Sequence, residues 1–174
     1  MLRGADVTLV KAATTAQIPD FVRVVPVTSA QSMFDAVKEI ADIQDIIIKV
    51  AAVSDYTPCA VSDQKIKKKD GDMSIEMKRT TDILKYLGEN KKDHQFVCGF
   101  SMETENMLEN SEKKLAKKNA DMIVANNLKD SGAGFKSNTN QITIITKGHT
   151  EALELMSKAD VAKEIVDRIN KLHK

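Results

Sequence analysis

An apolar run interrupted only by Lys49, Ile46-Ile47-Ile48-Lys49-Val50-Ala51-Ala52-Val53, constrains this chain more than any other stretch. Polar and apolar residues do not alternate along it. That is the pattern of a strand covered on both faces, as parallel strands between helices are. The run passes into Ser54-Asp55-Tyr56-Thr57-Pro58, and a cationic segment, Lys65-Ile66-Lys67-Lys68-Lys69, follows closely. In open α/β sheets, ligands sit beyond the carboxyl ends of the strands. Asp55 is therefore expected at a ligand edge beneath a positive loop, an arrangement suited to a phosphate-bearing substrate. The same residues also describe a solvated loop after a core strand.

The rest of the chain supplies partners for such a strand. Short strands are predicted at 5–10 and 22–27, with Ser29 capping a helix that carries Met33, Val37, Ile40 and Ala41 at helical spacing. Alternation over Met73–Met77 predicts a strand suited to a sheet edge. Thr80 or Thr81 can cap a helix bearing Ile83, Leu84 and Leu87, with Gly88 as its stop. A strand at 95–100, a helix at 104–119 with Met107, Leu108 and Leu115 on its apolar side, and a strand at 122–125 come next. A polar loop, a late strand at 142–146 and a helix capped by Asp160 complete the series. That helix places Val161, Ile165, Ile169 and Leu172 on one face. Strands alternating with helices predict an α/β chain with a mostly parallel, doubly wound, Rossmann-like sheet and helices on both faces. One domain over 1–174 is expected.

Charge narrows the function. The 26 Lys and Arg against 25 Asp and Glu give a net charge of +1, which does not suit a general nucleic-acid binder. Positive charge is instead local, at 65–69, at 113–118 and in the last helix, as a small anion would require. No apolar stretch reaches the roughly 18–20 residues of a membrane span. No basic segment followed by an apolar one opens the sequence. The two cysteines, Cys59 and Cys98, are isolated, and the three histidines are scattered, so zinc-type spacing is absent. Unpaired thiols of this kind predict a reducing, cytoplasmic setting, and Cys98, inside an apolar run, reads as a buried structural thiol.

Neither a dinucleotide-binding glycine fingerprint nor a P-loop occurs, which speaks against a nicotinamide-dependent oxidoreductase. What remains is a set of lysines with an acid. Lys114 and Lys118, four apart, share a helical face, where an anion would relieve their mutual repulsion. A solvated face balanced by Glu109 and Glu112 accounts for them equally. Thr80-Thr81-Asp82-Ile83 lies at a helix start, where unpaired N–H groups attract anions; plain capping would also explain it. Gly99-Phe100 closes a strand, its glycine allowing close backbone approach and its ring able either to cover a base or to pack.

Together these segments resemble bacterial phosphopantothenate–cysteine ligase, the synthetase of coenzyme A formation. The carrying segments are Ala51 to Tyr56, Lys65-Ile66-Lys67-Lys68, Asp82-Ile83-Leu84, Gly99 to Glu105, Lys114 to Asn119, Ala125-Asn126 and Gly134-Phe135. Ala12-Ala13, Ser54, Thr80-Thr81 and Asn127 depart from the family pattern. The family's opening glycine-rich strand, loop and helix have no counterpart here.

The resemblance implies a CTP-dependent ligase with Mg²⁺. The carboxylate of 4′-phosphopantothenate is activated as an acyl-cytidylate, and cysteine then displaces CMP. It implies Lys65 as the catalytic lysine on the triphosphate. Nucleotide contacts are implied at Asp55, Lys65, Thr80, Thr81, Asp82, Ile83, Phe100, Lys114 and Lys118. Ala51 and Ala52 would leave room for the reacting groups, and Lys67 and Lys68 would belong to a closing flap. The metal ligands stay unassigned. A homodimer is implied, with a flavin-dependent decarboxylase domain in the full-length protein. A non-catalytic nucleotide-binding or dimerisation fragment is the alternative.

Overall fold

The structure is a computed structural model that describes residues 4–67, 71–103, 106–127 and 137–173. It divides into two compact units, Met1–Glu39 with Ala51–Asp82, and Ile40–Val50 with Ile83–Lys174.

In the first unit, β1 (Thr8–Lys11) and β2 (Arg23–Pro26) pair in parallel, with Thr8 opposite Arg23. The Val27 N–H donates to the Lys11 carbonyl at 2.9 Å and carries the chain toward α1 (Ala30–Ala41). Ser29 caps that helix as expected. Its Oγ accepts from the Ser32 N–H at 3.0 Å while the Ser32 Oγ accepts from the Ser29 N–H at 2.9 Å. Two donors that a helix start leaves unpaired are thereby satisfied reciprocally.

Strands β4 (Tyr56–Pro58) and β5 (Met77–Arg79) form an antiparallel pair with Tyr56 opposite Arg79. The alternation of Met73–Met77 predicted a strand four residues further toward the N-terminus. Met73 and Ile75 are 65% and 58% exposed, so their alternation has no buried face to serve, and the strand itself begins at Met77. Strand β4 was not expected at all.

The second unit holds β3 (Ile46–Lys49), α2 (Ile83–Asn90), β6 (Phe96–Glu103), α3 (Met107–Lys117), β7 (Met122–Asn127), β8 (Thr139–Asn140), β9 (Ile142–Thr146), β10 (His149–Ala152), β11 (Met156–Ser157) and α4 (Lys158–Leu172). Five of its strands make one sheet in the order β10-β9-β7-β6-β3. Pairing is parallel across β3, β6 and β7 and antiparallel at β9 and β10. The mixed α/β class read from the sequence is the observed one. The late strand β9 belongs to a hairpin with β10, and β8 pairs with β11 beside it.

Strand β3 departs from expectation in position. It ends at Lys49 and lies at one margin of the five-stranded sheet among the described residues. Ile48 and Val50 are accordingly exposed, so the apolar run marks a margin of that sheet and not a strand covered on both faces.

The core forms where β6, β7 and β9 meet α4. Cys98, Met122, Val124, Ile142 and Ile144 pack with Val161, Ile165 and Ile169. Leu172, predicted on the same helical face, is exposed in the last turn. The cap of α4 is Ser157 and not Asp160. The Asp160 N–H donates to Ser157 Oγ at 3.1 Å, and that hydroxyl donates to the Asp160 carboxylate at 2.6 Å. Such a cap contributes about 1 kcal/mol.

In α3 the inward positions are Ser111 and Leu115, while Leu108 is exposed, contrary to its predicted place. Gly88, expected to stop α2, lies inside it. Cys98 is fully buried, and burial, aided by the nearby Asp121 charge, pushes its thiol up to about 12. Among the described residues no helix is long and apolar enough to cross a membrane.

Candidate functional site

In the first unit, Asp55 and Thr80 flank the β4–β5 pair. The Thr80 N–H donates to the Asp55 carbonyl at 2.9 Å, and Thr80 Oγ1 donates to the Ser54 carbonyl at 2.6 Å. The Ser54 hydroxyl donates onward to the Tyr56 carbonyl at 2.9 Å. These bonds continue the ladder by one step and fix the main chain of Asp55, whose residue stays exposed. Of the two threonines expected at the start of α2, Thr80 donates its hydroxyl proton to Ser54. Arg79 adds a cation–π contact, its guanidinium carbon 5.6 Å from the centre of the Tyr56 ring.

Ala51, Ala52, Thr81 and Asp82 are exposed on the same unit. Lys65, Ile66 and Lys67 are exposed as well. They follow a local turn in which Ser62 Oγ donates to the Gln64 carbonyl at 2.8 Å. Lys68, the second flap lysine, lies outside the described residues, as do Lys69, Thr104, Glu105, Gly134 and Phe135 of the segments singled out above.

In the second unit, the structure brings Phe100 and Lys114 together. Lys114 Nζ donates to the Phe100 carbonyl at 3.0 Å, tying α3 to β6. Its partner in that contact is a neutral carbonyl oxygen, so the ammonium charge is not cancelled there. Glu109 pairs with Lys113 at 2.5 Å, a lysine outside the Lys114 and Lys118 pair for which the balanced face was expected. The Phe100 ring is half-buried and packs against the core. Gly99 serves packing and not ligand approach. A Cβ there would lie 2.5 Å from Leu84 Cδ2 and 3.0 Å from Ile123 Cδ1. Lys118 is the residue that ends α3, one position past its last helical residue. Ile83 is buried in the first turn of α2.

Two features escaped sequence reasoning. Ser111 Oγ and Asn126 Oδ1 are buried without a hydrogen-bond partner, at an inward position of α3 and near the carboxyl end of β7. Asn119 donates its side-chain amide to the Gly88 carbonyl at 2.8 Å. The signal for Asn119 was present: an asparagine after a lysine-rich helix end is a common left-handed terminator.

Among the described residues no group of three His, Cys, Asp or Glu side chains is placed to hold a metal ion. The described residues thus offer no protein cage for magnesium, an ion that commonly relies on phosphate oxygens and water.

Over residues 1–172 the chain matches the family described as DNA/pantothenate metabolism flavoprotein C-terminal domain. It is 48% identical over 173 residues to coenzyme A biosynthesis bifunctional protein CoaBC of Bacillus subtilis (strain 168), covering 98% of this chain and 42% of that protein. It is 44% identical over 168 residues to a cysteine/cysteine sulfinic acid decarboxylase of an unknown prokaryotic organism, covering 95% of this chain and 47% of that one. The chain thus spans less than half the length of these curated relatives. Among solved structures, the C-terminal domain of a coenzyme A biosynthesis bifunctional protein CoaBC superposes with a TM-score of 0.81 at 41% identity. That match covers 98% of this chain and 78% of that one.

Proposed function

The chain belongs to the DNA/pantothenate metabolism flavoprotein C-terminal domain family, and from this we propose that it acts as a phosphopantothenate–cysteine ligase in coenzyme A biosynthesis. The observation that carries the proposal is 48% identity with the Bacillus subtilis protein across 98% of this chain. The 41% identity of the superposed CoaBC domain supports it independently.

In the proposed reaction a carboxylate oxygen of 4′-phosphopantothenate attacks the α-phosphorus of CTP, and pyrophosphate leaves. The cysteine amine then attacks the acyl carbon, the acyl–oxygen bond breaks, CMP departs and the nitrogen loses a proton as the amide forms. Catalysis of this kind needs positioning and charge stabilisation more than a protein nucleophile, which fits a lysine-rich set of residues.

Lys65 is proposed to stabilise negative charge on the triphosphate. Asp55, Thr80, Thr81, Asp82, Ile83, Phe100, Lys114 and Lys118 are proposed nucleotide contacts. Ala51 and Ala52 are proposed to leave space for the reacting groups, and Lys67 to belong to a flap. Magnesium would accompany the triphosphate. A homodimer in the cytoplasm, with a flavin-dependent decarboxylase domain in the longer protein, completes the reading.

The test is pyrophosphate release from CTP with 4′-phosphopantothenate and Mg²⁺, with and without cysteine, for the wild type and Lys65→Ala. Release that requires phosphopantothenate and is lost in Lys65→Ala supports the ligase. CTP binding without release would make the chain a non-catalytic nucleotide-binding fragment. Carbon dioxide release from cysteine without nucleotide would favour the decarboxylase named among the relatives.

A further inference from the structure

Asn119 is the residue at which α3 hands the chain to β7. Its φ of 48° is left-handed, and its N–H returns to the Ala116 carbonyl at 3.2 Å. A glycine would serve that conformation equally well. The asparagine adds reach, because its Nδ2 crosses to α2 and donates to the Gly88 carbonyl at 2.8 Å. With the amide turned the other way two oxygens would face each other, so the donor is assigned.

Gly88 completes the contact from the other side. A Cβ on it would fall 1.7 Å from the Lys118 carbonyl oxygen and 2.9 Å from the carbonyl carbon. The two helices therefore meet main chain to main chain at Lys118 itself. One turn earlier in α3, Lys114 is tied to the Phe100 carbonyl.

We infer that the joint between Asn119 and Gly88 is a positioning device for nucleotide binding, fixing the main chain of Lys118 against α2. The inference rests on the proposed role of Lys118 as a nucleotide contact. A lysine reaches a phosphate on a long, flexible stem, so the affinity it contributes depends on how firmly its main chain is held before the ligand arrives. Asn119 and Gly88 touch no substrate in this account; they act through Lys118.

The experiment is a double-mutant cycle on CTP affinity, measured by calorimetry, with Asn119→Gly, Lys118→Ala and the double variant. Asn119→Gly keeps the left-handed turn and removes only the amide. It is expected to weaken CTP binding by about three- to tenfold and to raise KM for CTP by a similar factor, with kcat less affected. In the Lys118→Ala background the same change should have no further effect, since the group it positions is gone. Asn119→Asp, which keeps the turn and the size but not the donor, is read in the same way should Asn119→Gly fail to fold.

Unchanged affinity in a folded Asn119 variant overturns the inference and leaves the ligase reading standing. An equal loss with and without Lys118 also overturns it, because the joint would then be merely structural. A wild-type chain that does not bind CTP removes the nucleotide reading, and this inference with it.

Discussion

Lys114 Nζ and the carbonyl oxygen of Phe100 are joined by a 3.0 Å hydrogen bond that anchors a cation of α3 on the main chain of β6. The bond holds the ammonium in one place while leaving its charge uncancelled in that contact. Structure and proposed function thus meet in one side chain.

Lys114→Met keeps most of the aliphatic stem and removes the charge. The lost bond should cost near the low end of the roughly 1.5–3 kcal/mol typical of charged hydrogen bonds, because the lysine is half-exposed. Urea unfolding measures that cost as a lower midpoint at unchanged slope. CTP-dependent pyrophosphate release should fall more steeply than stability does.

A pH dependence follows from the clamp between β10 and α4. Arg168 grips Glu151 with two nitrogens, at 2.8 and 2.6 Å, and also holds Glu164 on its own helix. The hydrogen bond from Arg168 keeps the Glu151 carboxyl below its ordinary value of 4.5. A carboxyl lowered on folding stabilises the native state fully above its unfolded pKa and loses that effect as the pH falls through the folded one. The melting-temperature gap between wild type and Arg168→Gln should therefore be constant near neutrality and shrink below about pH 4.5. The gap should be modest, since the Glu151 side chain is 39% exposed and salt screens it.

The two thiols should differ sharply in reactivity. Cys59 is exposed, while Cys98 is buried with its thiol pushed up to about 12. A thiol-specific disulfide reagent at neutral pH should modify Cys59 quickly and leave Cys98 intact until the protein is unfolded. Mass spectrometry of the native protein that found Cys98 labelled first would contradict the packing described.

Gly88→Ala should destabilise the fold even though alanine is the better helix former. The propensity gain is about 1 kcal/mol. The added carbon, however, meets a carbonyl oxygen at 1.7 Å, and a main-chain atom cannot turn aside as a side chain can. A net loss of about 1–3 kcal/mol is expected, visible as a lower melting temperature.

The alternation of strands and helices was legible because periodicity is a local property. The Ser29 cap was legible for the same reason. Local pattern failed where the answer depended on neighbours. The run at 46–53 is apolar enough for a central strand, yet Ile48 lies at a sheet margin, and composition does not record which strand pairs with which. Met73 and Ile75 alternate like a strand but have no sheet to face. Asp160 was read as the cap from its residue type alone, whereas Ser157, another capping type, holds that position and shares a hydrogen-bonded box with it. In the candidate site, the family resemblance singled out Lys65, Lys114 and Lys118. The partner of Lys114 emerged only from the fold, and Asn119 was missed because the carbonyl it holds lies 31 residues earlier.

The paired stem around the lysine loop has a consequence for how such chains diversify. Strands β4 and β5, extended by the Cys59 N–H donating to the Glu76 carbonyl at 2.9 Å, close the chain on itself before and after the lysines. Closing a flexible loop becomes harder only logarithmically with its length, by about 0.6 kcal/mol for each doubling. Insertions or deletions beyond Cys59 thus leave the register of the stem intact while changing how far the lysines extend and how many there are. Related chains can tune reach and charge there without shifting the paired stem, and a reporter sequence grafted just beyond Cys59 would leave that register intact.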